Sequence, residues 1–380
     1  MSSWDPGIGA RSEKVAYFQG TGTPVPTPPG RWAASRRRTA RVAQTTRIHG
    51  MGLALLAGLF LALLAPSAMA QPYLPPAGKI YAGVTGGDPT VYQKQTGVHA
   101  AVLQDFVTWG GNIGWAVKQA QNNRSRLMLA LKLANSGHNA LSPAQIAAGD
   151  GDVWLKSLGN YLFWRAQPTY LRLLAEMDNY RNSYCSFNAD GSSRGSAYSP
   201  AAFRNAWKRI VLILRGGLVS QINQQLHALG MPPVASRYAT LPIAPVAFLW
   251  VPMTFGDPNV PANEPSDYYP GNAWVDWVGT DFYSKFPNWG PLDKFYSSFG
   301  RRPFAFGEWG IWGADSPSFV HQMFTWVLSH ARVHLLMYYQ GYQSSGPLSL
   351  SLYPRSAASI GQELRKPIFP PYSTEWMQAA

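Results

Sequence analysis

The chain has 380 residues, of which 13% are charged and 13% aromatic, with 15 Trp, and its formal net charge is +13. That aromatic content excludes a disordered polymer, and the length exceeds what one small domain needs. The basic residues after position 70 are scattered, which argues against a nucleic-acid-binding stripe and leaves a mild attraction to anionic cell-surface polymers. With Cys185 as the single cysteine, a chain of this size must be held by its core and not by internal disulfides.

Residues 1–50 differ from the rest. They are Pro-rich between Thr21 and Pro29, basic through Arg36, Arg37, Arg38, Arg41 and Arg47, and lack apolar periodicity, so a disordered extension is expected. An uncharged apolar run, Met51 to Leu64, is followed by Pro66 and the small-residue sequence Ala68-Met69-Ala70. This pattern reads as a secretory signal peptide over 51–70, cleaved after Ala70, because the run falls short of the roughly 20 residues of a membrane span. A secreted or periplasmic protein without a stable membrane span is expected. The 35 residues ahead of the basic region are unusual for a signal peptide and suggest a start downstream of Met1. Eight of the Lys/Arg and two of the Asp/Glu precede residue 71, so the remainder carries +7.

From Lys79 onward, β-rich runs alternate with helical stretches. The runs are Ile80 to Val84, Ala101 to Phe106, Leu127 to Leu131, Tyr170 to Leu174, Val246 to Val251, Val278 to Tyr283, Pro303 to Gly307 and His334 to Tyr339. Helices are expected over Val153 to Arg165, with Asp150 and Asp152 as caps, and over Pro200 to Leu214, where Pro200 suits a first turn. Eight strand-plus-helix units in about 300 residues match an α/β protein with a (β/α)8 TIM barrel over 71–380. An open doubly wound sheet is the alternative, but Gly83-Val84-Thr85-Gly86-Gly87-Asp88 lacks the G-x-G-x-x-G spacing and no P-loop occurs.

In such a barrel chemistry sits at the C-terminal ends of strands. The fourth strand runs into Glu176, and period-2 alternation puts Arg172, Leu174 and Glu176 on one face. The seventh runs into Glu308, with Phe304 and Phe306 on its face by the same rule. Strands four and seven lie nearly opposite each other around the ring, so their carboxyls would flank a bond at the mouth. Glycoside hydrolysis uses such a pair. The structural alternative pairs Glu176 with Arg172 alone and leaves Glu308 solvated at a loop start. Aromatic residues favour the first reading: Trp250, Tyr283, Trp309 and Trp312 near strand ends, with Trp274, Trp277 and Trp289 in adjoining loops, are the stuff of a sugar-stacking cleft.

Three segments carry a resemblance. Tyr268-Tyr269-Pro270-Gly271-Asn272-Ala273-Trp274-Val275-Asp276-Trp277-Val278-Gly279, followed by Thr280-Asp281-Phe282-Tyr283, Arg172-Leu173-Leu174-Ala175-Glu176-Met177-Asp178, and Gly307-Glu308-Trp309-Gly310 together resemble glycoside hydrolase family 26, the β-mannanase-type branch of clan A. Phe203, Trp207 and Trp250 also fit. The resemblance spans Lys79 to Gln340 and implies a retaining mechanism, with Glu176 as acid/base, Glu308 as nucleophile and Tyr283 hydrogen-bonded to the nucleophile. Arg172, Trp250, Tyr283, Trp309, Trp109 and Trp312 are the residues expected to bind substrate, a polysaccharide or oligosaccharide. Ala175 and Asp178 depart from the family's histidine and asparagine, which weakens mannan as the specific substrate.

Seven scattered histidines offer no H-E-x-x-H and no Cys/His pairing, so neither a metal nor a cofactor is expected. His334 is expected to be packed, Asp281 to hydrogen-bond or contact substrate, Asp105 to cap a loop or line a subsite, and Cys185 not to be catalytic. A monomer is expected. Two further readings remain: a non-catalytic glycan-binding barrel, and a hydrolase of the producer's own exopolysaccharide or envelope glycan.

Overall fold

The computed structural model describes residues 72–133, 141–342 and 346–377; the expected N-terminal extension over 1–50 and the expected signal peptide over 51–70 lie outside the described residues. Eight parallel strands close into a barrel: β1 Tyr81–Thr85, β2 Val102–Thr108, β3 Arg126–Lys132, β4 Thr169–Leu173, β5 Val246–Trp250, β6 Trp277–Tyr283, β7 Phe304–Gly310 and β8 Val333–Tyr339. They pair in chain order and β8 returns to β1, with Tyr81 against Leu335 and Thr85 against Tyr339. All eight coincide with the expected runs, and the fold is a (β/α)8 barrel. A two-residue ribbon, Gly217–Leu218 with Thr240–Leu241, lies outside it.

The covering helices include α1 Pro89–Thr96, α2 Gly114–Asn122, α3 Pro143–Ala148, α4 Asp152–Arg165, α5 Pro200–Arg215, α6 Val219–Ala228, α7 Trp289–Ser298, α8 Pro317–Ser329 and α9 Pro354–Leu364. Ser199 caps α5 through the amide of Ala202, and Pro200 sits in its first turn as the sequence indicates. The capping expected of Asp150 and Asp152 does not occur. Gly151, in the left-handed conformation, starts α4, and the Asp152 carboxylate is taken instead by a bidentate pair with Arg209 of α5 (2.8 and 2.6 Å). A buried guanidinium within reach outcompetes a local amide for that carboxylate, and the pair ties α4 to α5.

Strand alternation divides the core in two. Tyr81, Val102, Met128, Tyr170, Ala247, Leu249, Trp277, Ala305, Leu335 and Met337 fill the barrel, whereas Leu103, Leu129, Leu171, Phe248, Val278, Phe304 and Phe306 pack outward under the helices. The floor is closed by residues from both ends of the described chain. Arg126 donates to the carbonyl of Tyr73 (2.6 Å) and pairs bidentately with Glu375, and the Trp277 indole donates to the carbonyl of Pro72 (2.6 Å). His334 belongs to this end, edge-on to Trp277, and its burial lowers its pKa; it is packed, as expected, away from the mouth. Among the described residues no helix is long and apolar enough to cross a membrane.

Candidate functional site

The mouth of the barrel holds a cavity of about 90 Å3 lined by Phe106, Lys132, Arg172, Ala175, Glu176, Asn182, Tyr184, Glu308 and Tyr339. Both glutamates reach it, but neither by the alternation that the sequence suggests. In β7, Phe304 and Phe306 point outward into the helix-facing core, so strict period 2 would send Glu308 outward with them. A register shift against β6 prevents this: Phe306 pairs with Thr280 and Glu308 with Asp281, leaving Gly307 as an extra residue. The β-bulge turns Gly307 and Glu308 toward the same side. Gly307 is required there, since a Cβ would stand 2.9 Å from Arg172 Nε and 2.8 Å from Val251.

The fourth strand is corrected similarly. Leu174 turns into the outer core and does not share the face of Arg172. Leu174 and Glu176 both adopt positive φ (44° and 49°), a region that L-residues occupy only where their surroundings hold them. The Glu176 amide donates to the carbonyl of Val251 (2.7 Å), while Asn182 donates to the carbonyl of Glu176 (2.8 Å) and the Tyr184 hydroxyl to that of Ala175 (2.7 Å). These bonds fix the strand end against β5 and the following loop. The Glu176 carboxylate is half-buried and accepts from Asn179 (3.1 Å).

Glu308 is 8% exposed and held at both oxygens. Arg172 Nη1 donates to Oε1 at 2.5 Å, and the Tyr283 hydroxyl donates to Oε2. Arg172 also pairs with Asp281, so one buried guanidinium serves two carboxylates. Burial pushes the Asp281 carboxyl well up from its usual range, with Arg172 opposing and the charge of Glu308 adding. Burial, reinforced by Glu308, also raises the Tyr283 phenol, keeping it a donor. Asp281 is thus a positioning group beneath the cavity.

The remaining expectations divide. Trp312 lies beside the site, edge-on to Tyr283 at 5.8 Å, with Lys285 4.5 Å above its ring. Trp250 and Trp309, expected to bind substrate, are buried at 0% and 1% exposure. Each follows an inward residue, so each points outward: Trp250 packs on Tyr269, Phe295 and Phe299, and Trp309 on Phe324 and Tyr338. Neither offers a face to a sugar. Trp250→Ala is expected to lower stability by about 3–5 kcal/mol as a core truncation, measured by denaturant unfolding; a stability within 1 kcal/mol of the parent would contradict the packing role. Trp109 packs at a tilt against Trp154, ring centres 5.0 Å apart, and covers Gly151, outside the cavity lining. Asp178, at the family's asparagine position, also turns away. Its Oδ1 accepts from the amide of Met253 (3.0 Å), and burial pushes its carboxyl up.

Asp105 is neither a loop cap nor part of this cavity. It sits on the outer face of β2 at 2% exposure, where burial pushes its carboxyl up to about 7. A carboxyl whose folded pKa exceeds its ordinary value of 3.8 favours folding while protonated, and that contribution is lost as pH rises from about 4 through 7. Asp105→Asn is therefore expected to leave stability nearly unchanged at pH 4 and to raise it by on the order of 3 kcal/mol at pH 8. Thermal unfolding of both forms across this range checks the sign. Cys185 is buried, which raises its thiol pKa, and it is absent from the cavity lining. Among the described residues no group of three or more His, Cys, Asp or Glu is placed to hold a metal.

Phe106, Lys132, Asn182, Tyr184 and Tyr339 entered the site unforeseen. Phe106, Lys132 and Tyr339 lie at or next to the ends of β2, β3 and β8, so the rule that singled out the glutamates reaches them once the strand ends are known. Asn182 and Tyr184 come from a loop with no periodic signal.

No family model matches the sequence, and no curated protein matches it. Among solved structures, the catalytic domain of a family 26 endo-β-1,4-mannanase from Bacillus sp. JAMB-750 aligns with a TM-score of 0.53 at 11% identity, covering 83% of this chain and 95% of that one. A family 26 β-mannanase from Bacteroides ovatus aligns at 0.51 and 14%, covering 77% and 90%, and a Bacillus subtilis mannanase at 0.51 and 15%, covering 80% and 93%. The chain thus has a fold like that of family 26 glycoside hydrolases.

Proposed function

We propose that this chain is an exported glycoside hydrolase, an endo-acting, retaining β-glycanase of mannanase-like type, with Glu176 as acid/base and Glu308 as nucleophile. The observation that carries the reading is the convergence of these two glutamates on one cavity at the C-terminal end of the barrel, with Glu308 gripped at both oxygens. Glu176 protonates the glycosidic oxygen as Glu308 attacks the anomeric carbon, the leaving sugar departs, and a glycosyl ester forms on Glu308. Glu176, now a carboxylate, takes a proton from water, whose oxygen displaces Glu308 and regenerates it. Arg172 and Tyr283 keep the attacking carboxylate in one plane, so little reorganisation precedes attack.

The fold-sharing structures are named as mannanases, which supports a β-linked polysaccharide, while Ala175 in the cavity wall separates this site from the family pattern. Purified protein is expected to release reducing ends from at least one member of a panel of mannans, xylans, β-glucans and bacterial exopolysaccharides. Product from none of them would remove the enzyme reading. Binding to the polysaccharide without turnover, unchanged in Glu176→Gln, is the behaviour of a glycan-binding barrel. Product from exopolysaccharide alone would direct the activity to the producer's own envelope.

A further inference from the structure

On β2, Gln104 and Phe106 face into the barrel, whereas Leu103, Asp105 and Val107 face out. The outward positions of barrel strands pack under helices and are apolar almost throughout this chain; Asp105 is an exception. Its Oδ2 is fully enclosed and has no hydrogen-bond partner among the described residues. Enclosing a carboxyl without a donor costs several kcal/mol, so such groups are normally paired.

Asp105 forms part of the wall of a groove of about 650 Å3 on the barrel flank, bounded by Thr90 at the start of α1, by Trp115, Lys118 and Asn122 of α2, and by Tyr342 after β8. Trp115 and Tyr342 are 48% and 55% exposed, so two aromatic side chains are left open beside polar groups. This groove shares no lining residue with the cavity of the two glutamates, and the rings of Phe106 and Tyr342, 6.1 Å apart, stand between them. A metal ion does not suit it, because the enclosed carboxyl of Asp105 is joined only by Asp88, which is exposed and already accepts from the Thr90 amide, and by the ammonium of Lys118. A phosphate does not suit a floor carrying a carboxyl. A polyhydroxylated ring does, since its hydroxyls donate to a carboxyl and accept from ammonium and amide groups while its C–H face stacks on an aromatic ring.

We propose that this flank groove is a second saccharide-binding site, in which Asp105 accepts from sugar hydroxyls, Lys118 and Asn122 donate to them, and Trp115 stacks on the ring. It tethers a polysaccharide to the barrel independently of cleavage. The test is affinity electrophoresis of the full chain carrying Glu308→Ala through gels containing each polysaccharide of the panel. At least one is expected to retard it, and Trp115→Ala, at an exposed position that leaves the core intact, is expected to weaken that binding about three- to tenfold, the range of an aromatic stacking contact. Asp105→Asn should weaken it as well. No retardation by any polysaccharide, or retardation unchanged by both substitutions, would overturn the proposal. Retardation that is sensitive to Trp115, with no reducing ends released by the protein that keeps Glu308, would support the groove while sinking the hydrolase reading, so the two fail separately.

Discussion

Glu308→Ala is expected to reduce polysaccharide hydrolysis by on the order of 10^4-fold or more, since in the proposed mechanism it removes the group that forms the covalent bond. Glu176→Ala should behave differently. A substrate with an activated aryl leaving group needs no proton from Glu176, so its first step proceeds and the ester accumulates. Added azide, which attacks without base assistance, then restores turnover by forming a glycosyl azide. Rescue in Glu176→Ala with retained configuration, together with its absence for polysaccharide leaving groups, would separate the two roles. Equal losses on both substrates, with no rescue, would contradict the assignment of Glu176. The thermal unfolding of both variants guards against misreading a folding defect as a chemical one.

The second large effect concerns Arg172. It is 2% exposed and is the guanidinium that both Glu308 and Asp281 share. Arg172→Met leaves two carboxyls buried without their cation, and breaking a buried pair in this way costs about 3–5 kcal/mol. Activity should fall with it, because Glu308 loses the donor at Oε1. The loss of stability should shrink as pH falls, since protonation neutralises the stranded Asp281 carboxyl, which burial already pushes up. Adding Asp281→Asn should recover part of the stability but not the activity, as the two residues are in contact and their effects do not add. A variant as stable as the parent at neutral pH would show that the triad is not the tightly coupled unit its geometry describes.

Much of this fold is legible in the sequence because β-rich runs and helical stretches alternate eight times, and each run became a barrel strand. The faces of those strands were less legible. Alternation holds through Arg172 and through Phe306, and then fails just where the cavity begins, at the left-handed Leu174 and at the bulge around Gly307. Both irregularities depend on neighbours that sequence spacing does not encode, namely the carbonyl of Val251 and the guanidinium of Arg172. The aromatic residues mislead for a related reason. A tryptophan at a strand end reads the same whether it faces the mouth or the helices, and Trp250 and Trp309 face the helices. Tyr283 and Trp312 lie near Glu308, one bonded to it and the other against that tyrosine. Asp105 reads in the sequence as a loop cap or a subsite residue, and only the fold places it on the outward face of β2, in the wall of the groove beside α1 and α2.

The most direct test is the anomeric configuration of the first-formed product, followed by proton NMR within minutes of mixing enzyme with a polysaccharide that it cleaves. Two carboxyls acting as acid/base and nucleophile predict that the new reducing end first appears with the β configuration of the bond that was cut, and that Glu308→Ala gives no such signal. An initial α product, or reducing ends still released by Glu308→Ala, would contradict the account.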